Sequence, residues 1–118
     1  MSDLKELVKF QKEFDKKHGN WTWESSDDQK KLEWLAEGAI CLTGEIGEFA
    51  NLVKKARRRF VSLNELPSSD QYEKMKEEIV DVFIYILKVA GQTLDMDLEK
   101  EYFKKMKIND GRFKEFEK

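Results

Sequence analysis

Apolar residues recur along most of this chain at three- and four-residue spacings, which are typical of amphipathic helices. The first such stretch predicts a helix over residues 3–17. The second predicts a helix that opens at Ser26, where Gln29 completes a capping box, and continues to about Phe60. At about 1.5 Å per residue that helix would span roughly 50 Å, more than a compact chain of this length allows. It must therefore extend onto a partner or break at a glycine. The glycines at which it could break are Gly38, Gly44 and Gly47.

Turn-forming residues are scarce, with one proline and six glycines among 118 residues, and this scarcity favours an all-helical protein. Ser68 predicts the start of a third helix that runs to about Leu94. Asp97 predicts the start of a shorter fourth helix that ends near Asn109. Four helices with short links indicate an all-α, four-helix-bundle-type fold, with residues 1–118 forming a single domain.

Charged residues make up 39% of the chain, but 24 acidic side chains nearly balance 22 basic ones, and the formal net charge is −2. This balance counts against a nucleic-acid binder, which would carry a basic excess. The N-terminal segment has no apolar stretch typical of a signal peptide, and the run from Val82 to Leu87 is too short to span a membrane. The only cysteine is Cys41, so no intrachain disulfide can form. We expect a cytoplasmic protein that does not contact membranes.

Two acidic residues occupy the apolar side of the second predicted helix. At 100° per residue Glu45 falls inside the apolar stripe and Glu48 at its margin. An ionised carboxylate that faces a core is costly unless it is paired, hydrogen-bonded or bound to a cation. Gly44 and Gly47 flank Glu45, and each costs up to about 1 kcal/mol relative to alanine in a helix. Their presence predicts that another group approaches the backbone closely there.

The third predicted helix carries a similar pair, Glu78 and Asp81, again three residues apart. From Met75 to Leu94 this helix is apolar around most of its circumference, so it needs neighbours on more than one side. That requirement favours a multi-layer bundle or a dimer. Its one narrow polar stripe, taken alone, has the composition of a solvated face. The stripe comprises Lys74, Glu78, Asp81, Tyr85, Lys88 and Gln92.

Taken together, the two carboxylate pairs predict a divalent-cation site. If the second and third helices pack antiparallel, four carboxylates converge between them. Such oxygen donors suit Mg²⁺, or Mn²⁺ as a substitute, together with water and phosphate oxygens. Zinc is excluded because one cysteine and one histidine are too few ligands. The four residues are Glu45, Glu48, Glu78 and Asp81.

The segments LTGEIGEFANLVKKARRR and MKEEIVDVFIYIL resemble the MazG-type all-α nucleoside triphosphate pyrophosphohydrolases. The shared pattern is Glu-x-x-Glu on one helix and Glu-x-x-Asp on a following helix, and the resemblance spans about Trp21 to Phe113. It implies metal-dependent cleavage between the α- and β-phosphates of a nucleoside triphosphate, which yields a monophosphate and pyrophosphate. It also implies a homodimer or homotetramer. Many members have a further Glu where this chain has Gly44, and this departure is similar to the dCTP pyrophosphatase branch.

The resemblance implies roles for individual residues. The four carboxylates would bind Mg²⁺, and Trp21, or alternatively Trp34, would stack on the base. The phosphates need cations, for which Lys54, Lys105 and Arg112 are the candidates. The basic run over residues 54–59, which includes Lys54, also suits a helix C-terminus without any binding role. The branch resemblance places further residues near the substrate, in the third helix and in the segment KMKINDGRF. These are Tyr85, Lys105, Asn109 and Arg112.

The expected chemistry is attack of water on a phosphoryl group, in which catalysis consists mainly of positioning and charge neutralisation. One carboxylate of the site would accept the proton of the attacking water. Glu48 is preferred over Glu45, and Glu37 or Glu77 could serve instead. Two other functions fit the same sequence: a non-catalytic nucleotide-binding module, and a structural helical oligomer whose acids form ion pairs.

Overall fold

The structure is a computed structural model that describes residues 3–19 and 22–116. These residues form helices and no strand, which confirms the all-α prediction. A π-helical segment extends the third helix, and a short 3₁₀ turn follows the fourth. The α-helices are α1 (Leu4–Gly19), α2 (Asp28–Leu63), α3 (Ser69–Ile86) and α4 (Leu98–Arg112); the π-helical segment is Leu87–Thr93 and the 3₁₀ turn is Lys114–Phe116.

The helix starts follow from local capping chemistry. Ser68 and Gln71 form the predicted reciprocal capping box at the start of α3, with hydrogen bonds of 2.8 and 3.2 Å. Asp97 caps α4 by accepting the backbone N–H of Lys100, as predicted. The prediction for α2 was wrong by one residue, because Asp27 rather than Ser26 accepts the backbone N–H of Gln29. Asp27 is equally suited to the N-cap, so the spacing alone could not separate the two.

Helix α2 runs unbroken for 36 residues, so of the two alternatives for this long helix the break at a glycine is wrong. It passes the predicted end at Phe60 and stops at Asn64, whose positive φ of 56° ends the helix with a hydrogen bond to the Phe60 carbonyl. Apart from their own stretch of helix, no described residue lies within 4 Å of a Cβ built on Gly44 or Gly47. The described residues therefore do not make the close approach that these two glycines predicted. The ends of α1 and α4 also lie two to three residues beyond the predicted ones, at Gly19 and Arg112.

Gly38 is the glycine of α2 at which another element approaches closely. It is buried, and a Cβ there would lie only 2.4 Å from Cγ2 of Val89 in the π-helical segment. Gly91 makes the matching approach on the other side, because a Cβ there would lie 2.4 Å from Cγ2 of Val8 in α1. The π-helical segment is thus packed tightly between α1 and α2, and this small contact region is where the core lies.

We expect Gly38→Ala to lower the free energy of unfolding by about 1–3 kcal/mol, because the stiff valine opposite must move to admit the methyl group. Urea denaturation followed by circular dichroism measures the change. Gly111→Ala is the matched control, since a Cβ there meets nothing within 4 Å. That substitution should stabilise α4 by up to about 1 kcal/mol. Equal effects of the two substitutions would contradict the close packing at Gly38.

The third helix changes its winding after Ile86. The backbone N–H of Leu94 donates to the carbonyl of Val89 at 2.9 Å, which is the five-residue spacing of a π-helix. The sequence predicted one helix to Leu94 and gave no signal for this change. Of the residues that the structure describes, four of the seven in this segment are buried. They are Leu87, Ala90, Gln92 and Thr93.

The polar stripe of the third helix faces inward, not toward solvent. Glu78, Asp81, Tyr85 and Lys88 are half-buried and Gln92 is buried, whereas only Lys74 is exposed. Several large apolar side chains of the same helix point outward instead, among them Ile79, Val80 and Phe83. Interpretation of the stripe as a solvated face is therefore wrong. No helix among the described residues is both long and apolar enough to cross a membrane.

Candidate functional site

Three carboxylates meet where α2 packs against α3. Glu45 of α2 and Glu78 and Asp81 of α3 each place a carboxylate oxygen within 4.8 Å of the other two. The three-residue spacing puts Glu78 and Asp81 on one face of α3, and the short connection between α2 and α3 turns that face toward Glu45. All three side chains are half-buried. Three hard oxygen donors at this spacing could surround one divalent cation.

Glu48 lies beside this carboxylate cluster but is more exposed. It is one turn beyond Glu45 on α2, close enough for its charge to act on both Glu45 and Glu78. Burial is the main cause that raises the pKa of Glu45 above its ordinary value, followed by the charges of Glu48 and Asp81. Burial also raises the pKa of Glu78, with Glu48 as the next contribution. The four predicted carboxylates thus form one electrostatic unit.

The carboxylate cluster lacks the partners that would make it a structural ion-pair network. Among the described residues, the Oε2 atoms of Glu45 and Glu78 are buried and receive no hydrogen bond. The charges that act on these two side chains are those of neighbouring carboxylates, and they raise both pKa values. Buried charged oxygens without a donor are costly, so these are atoms that could hold a cation.

We expect the metal-free protein to lose stability as the pH rises above about 4.5, the ordinary value for glutamate. The pKa values of Glu45 and Glu78 are raised in the folded state, so the unfolded chain loses these protons first. Ionisation then favours the unfolded chain until the pH exceeds the folded values. Thermal unfolding in EDTA across this range, compared with Glu45→Gln, isolates the effect. Identical pH profiles for the two proteins would contradict it.

An aromatic pocket of about 480 Å³ opens between the same two helices, toward the N-terminal end of α2. The rings of Trp23 and Trp34 lie 5.2 Å apart between centroids, and Tyr85 stands edge-on to Trp23 at 6.1 Å. The pocket is within the size range of small-molecule sites. It is lined by Trp23, Lys30, Glu33, Trp34, Glu37, Cys41, Tyr85 and Lys88.

The pocket and the carboxylate cluster are two ends of one cleft. Cys41 and Tyr85 line the pocket, and each lies one helical turn from a member of the cluster, Glu45 and Asp81 respectively. Burial raises the pKa of Tyr85, and the neighbouring Cys41 thiol adds to the shift. The thiol in turn lies 3.7 Å from a carboxylate oxygen of Glu37. The cleft therefore has aromatic side chains at one end and anionic oxygens at the other, and both ends lie between α2 and α3.

Lys88 supplies positive charge to the aromatic pocket. Its Nζ lies 4.8 Å from the centre of the Tyr85 ring and 5.6 Å from that of Trp23, where cation–π attraction is favourable. It also pairs with Asp15 of α1 at 3.5 Å, and both side chains are largely buried. A second lysine, Lys30, lies 5.0 Å from the centre of the Trp34 ring.

The structure brings only some of the predicted substrate-binding residues to this cleft. Tyr85 lines it, and so does Trp34, the alternative stacking residue. Lys54 instead lines a groove on another face of α2. Helix α4 makes few contacts with α1 and at most sparse contacts with α2 and α3, so its three candidates are not gathered at the cluster within one chain. Those are Lys105, Asn109 and Arg112. Trp21 lies outside the described residues.

Sequence reasoning missed three residues at the pocket end of the cleft. Trp23 was not among the predicted substrate-binding residues, and it is buried against Trp34. Lys88 follows Tyr85 by three residues, so helical spacing alone could have suggested that both face the same pocket. Asp15 gave no signal, because its partner lies on a helix far away in sequence.

Comparison with known proteins identifies one family. The dUTPase family model (dUTPase_2) matches residues 3–94, which include both carboxylate pairs and the aromatic pocket. This family comprises nucleotide hydrolases acting on acid anhydrides, is all-α and is related to the MazG type. No curated protein and no solved structure matches the chain.

Proposed function

The chain belongs to the dUTPase family, and from that membership and its site we propose that it is a Mg²⁺-dependent nucleoside triphosphate pyrophosphohydrolase. In this proposal it cleaves the bond between the α- and β-phosphates and releases a nucleoside monophosphate and pyrophosphate. The observation that carries the proposal is the pair of buried Oε2 atoms of Glu45 and Glu78, which have no hydrogen-bond donor among the described residues. The divalent cation that accompanies a triphosphate would supply the positive charge that this cluster needs.

The two ends of the cleft differ in chemistry, so they determine which way round the substrate would bind. The triphosphate would lie at the carboxylate cluster, and the nucleoside would extend past Tyr85 and Cys41 toward the aromatic pocket. Trp34, which is half-buried, offers an aromatic face on which a base can stack, and the buried Trp23 packs against it. Lys88 and Glu37 offer a donor and an acceptor at the pocket wall for the polar edge of the base.

Four side chains of the site, Glu45, Glu48, Glu78 and Asp81, have distinct tasks in this proposal. Glu45, Glu78 and Asp81 would hold Mg²⁺, or Mn²⁺, at their convergent oxygens. The bound cation would offset the charge of the triphosphate and favour ionisation of water. Glu48, which is more exposed and adjoins the cluster, is the best-positioned carboxylate to take the proton from the attacking water. Glu37 fits that task less well, because it faces the thiol of Cys41 in the aromatic pocket.

Two pyrimidine deoxynucleotides, dUTP and dCTP, are the candidate substrates. The name of the matched family favours dUTP, whereas the resemblance of KMKINDGRF to the dCTP pyrophosphatase branch favours dCTP. Either preference fits a role in removing surplus or non-standard nucleotides from the cytoplasmic pool.

The deciding experiment is pyrophosphate release from a panel of NTPs and dNTPs, first with Mg²⁺ and then with EDTA. The proposal expects release that requires metal, together with the matching monophosphate, and the panel ranks the bases. Release of inorganic phosphate in place of pyrophosphate would overturn the assigned bond. Thermal stabilisation by nucleotide without any hydrolysis would make the chain a nucleotide-binding module. Neither hydrolysis nor stabilisation would leave a structural helical oligomer.

We also propose that the chain functions as a homo-oligomer built from dimers. Its accessible surface is 9502 Å², about 2,800 Å² more than expected for a compact monomer of 14.0 kDa. Its radius of gyration of 18.1 Å likewise exceeds the roughly 13 Å of a compact chain of this length. A standard interface needs only about 800 Å² from each partner, so this excess is ample for a stable dimer.

The surface that a second copy would cover lies on α2 and α3, away from the cleft. One apolar groove follows α2 and includes Ile46, Phe49, Val53 and Val61. Another follows α3 and includes Tyr72, Met75, Ile79 and Val80. Phe49 lines both grooves, so they are continuous. A self-complementary apolar face of this kind is typical of a two-fold interface.

A further inference from the structure

A two-point clamp holds the backbone of Trp23 from a distant part of the chain. The side-chain carbonyl of Gln92 accepts the Trp23 backbone N–H at 3.0 Å, and the Thr93 hydroxyl donates to the Trp23 carbonyl at 2.6 Å. Both clamp residues are buried, with 3% and 1% of their surface exposed. They lie 69 and 70 residues from Trp23, so the contact fixes the α1–α2 loop onto the end of the third helix.

The π-helical winding is what allows both side chains to reach the loop. In an α-helix, two neighbouring residues project about 100° apart, and a position five residues after Lys88 would point well away from it. A π-helix closes its hydrogen bonds over five residues. The side chains four and five residues after Lys88 therefore project on either side of the direction in which Lys88 points. The π-helical segment can therefore project three side chains from one side, those of Lys88, Gln92 and Thr93.

The clamp is connected to the charged wall of the aromatic pocket. The side-chain amide of Gln92 donates to Oδ2 of Asp15 at 3.3 Å, and Oδ1 of Asp15 pairs with Lys88. Lys88 in turn lies over the rings of Trp23 and Tyr85. One network thus fixes the backbone of Trp23, the cation over its ring and the helical segment that carries Lys88 and Gln92. None of these groups belongs to the carboxylate cluster.

We propose that Gln92 and Thr93 are positioning residues for nucleoside binding, which they control by holding Trp23 as a wall of the aromatic pocket. This inference rests on the proposed function for the identity of the ligand. It assigns the clamp to binding of the nucleoside end and not to the phosphoryl chemistry. A loosened clamp should therefore weaken nucleotide binding and leave the turnover rate of bound substrate nearly unchanged.

The test replaces Thr93 with valine, which has nearly the same shape but cannot donate to the Trp23 carbonyl. We expect Thr93→Val to raise the KM for the preferred dNTP about tenfold or more, with kcat within about twofold of wild type. Thr93→Ser keeps the hydroxyl and should restore most of the affinity. Thr43→Val is the matched control, since it removes a hydroxyl that only bonds back to the Ala39 carbonyl on an exposed face of α2.

Calorimetric binding of dUMP and dCMP without metal separates the clamp from the proposed reaction. If wild type hydrolyses dNTPs but Thr93→Val changes KM no more than Thr43→Val does, the clamp proposal is wrong and the function stands. If wild type binds a monophosphate without hydrolysing any triphosphate, the function is wrong, and a weaker Kd for Thr93→Val supports the clamp. An unchanged Kd in that case refutes the clamp as well. If the wild-type protein neither hydrolyses a triphosphate nor binds a monophosphate, both proposals are wrong. If Thr93→Val lowers kcat and affinity equally, the clamp has only a structural role.

Discussion

Asp81→Asn should abolish metal-dependent pyrophosphate release, with a loss of more than about a thousandfold in kcat/KM. Asp81 contributes one of the three oxygens that converge within 4.8 Å, and an amide in its place has one neutral oxygen and a repelling NH₂ group. Glu45→Gln should have a comparable effect, because it replaces the carboxylate that α2 contributes to the same cluster. Pyrophosphate release under saturating Mg²⁺ measures both losses.

Stability measurements distinguish loss of the site from loss of the fold. Without metal, Asp81→Asn should be at least as stable as wild type, because one member of a mutually repelling cluster is neutral. With Mg²⁺ and nucleotide, the wild type should gain thermal stability and the variant should not. Asp70→Asn, on the first turn of the same helix, is the control and should keep its activity. Full activity in both Asp81→Asn and Glu45→Gln would exclude the carboxylate cluster as the catalytic site.

Val53→Asp should convert the oligomer to monomers. Val53 lies in the middle of the apolar groove on α2, and a second copy on that groove would have to bury the new charge. The dimer constant should weaken by at least about a hundredfold, since two new charges would be buried per symmetric interface. Sedimentation equilibrium measures the change, and circular dichroism checks that the helices persist.

Val61 and Leu66 give a matched pair for the same question. Their exposed fractions are 75% and 74%, but Val61 lines the groove and Leu66 lies in the α2–α3 connection outside it. Val61→Asp should weaken association, whereas Leu66→Asp should leave it unchanged. If the protein is monomeric at high concentration, or if both substitutions act equally, the proposed interface is wrong.

Much of the local structure could be predicted because it depends on short-range spacing. The capping pairs that begin α1, α3 and α4 lie within three residues of each other, so the sequence contains the whole interaction. The boundary errors arose where neighbouring residues compete, as Ser26 and Asp27 do at the start of α2. The end of α2 depended on the left-handed conformation of Asn64, which spacing does not reveal.

The interpretation of the polar stripe on the third helix as a solvated face was wrong, because the packing of the other helices decides which face meets water. A stripe such as Glu78, Asp81 and Tyr85 is polar whether it faces water or a site, and composition alone favours water. The deciding contacts are with Glu45, Glu48 and Cys41 on another helix. The apolar residues on the opposite side, such as Val80, are then left outward, where a second chain is expected.

By itself, the sequence determined the helical class, most helix starts and the two carboxylate pairs, because each follows from residues no more than one turn apart. Only the tertiary structure decided that the pairs meet, that Trp23 packs against Trp34, and that Gln92 and Thr93 clamp Trp23. These contacts join positions up to 70 residues apart and depend on a π-helical winding. The spacing of residues along one helix cannot predict such contacts. They form only when helices pack together and their buried polar groups must find hydrogen-bond partners.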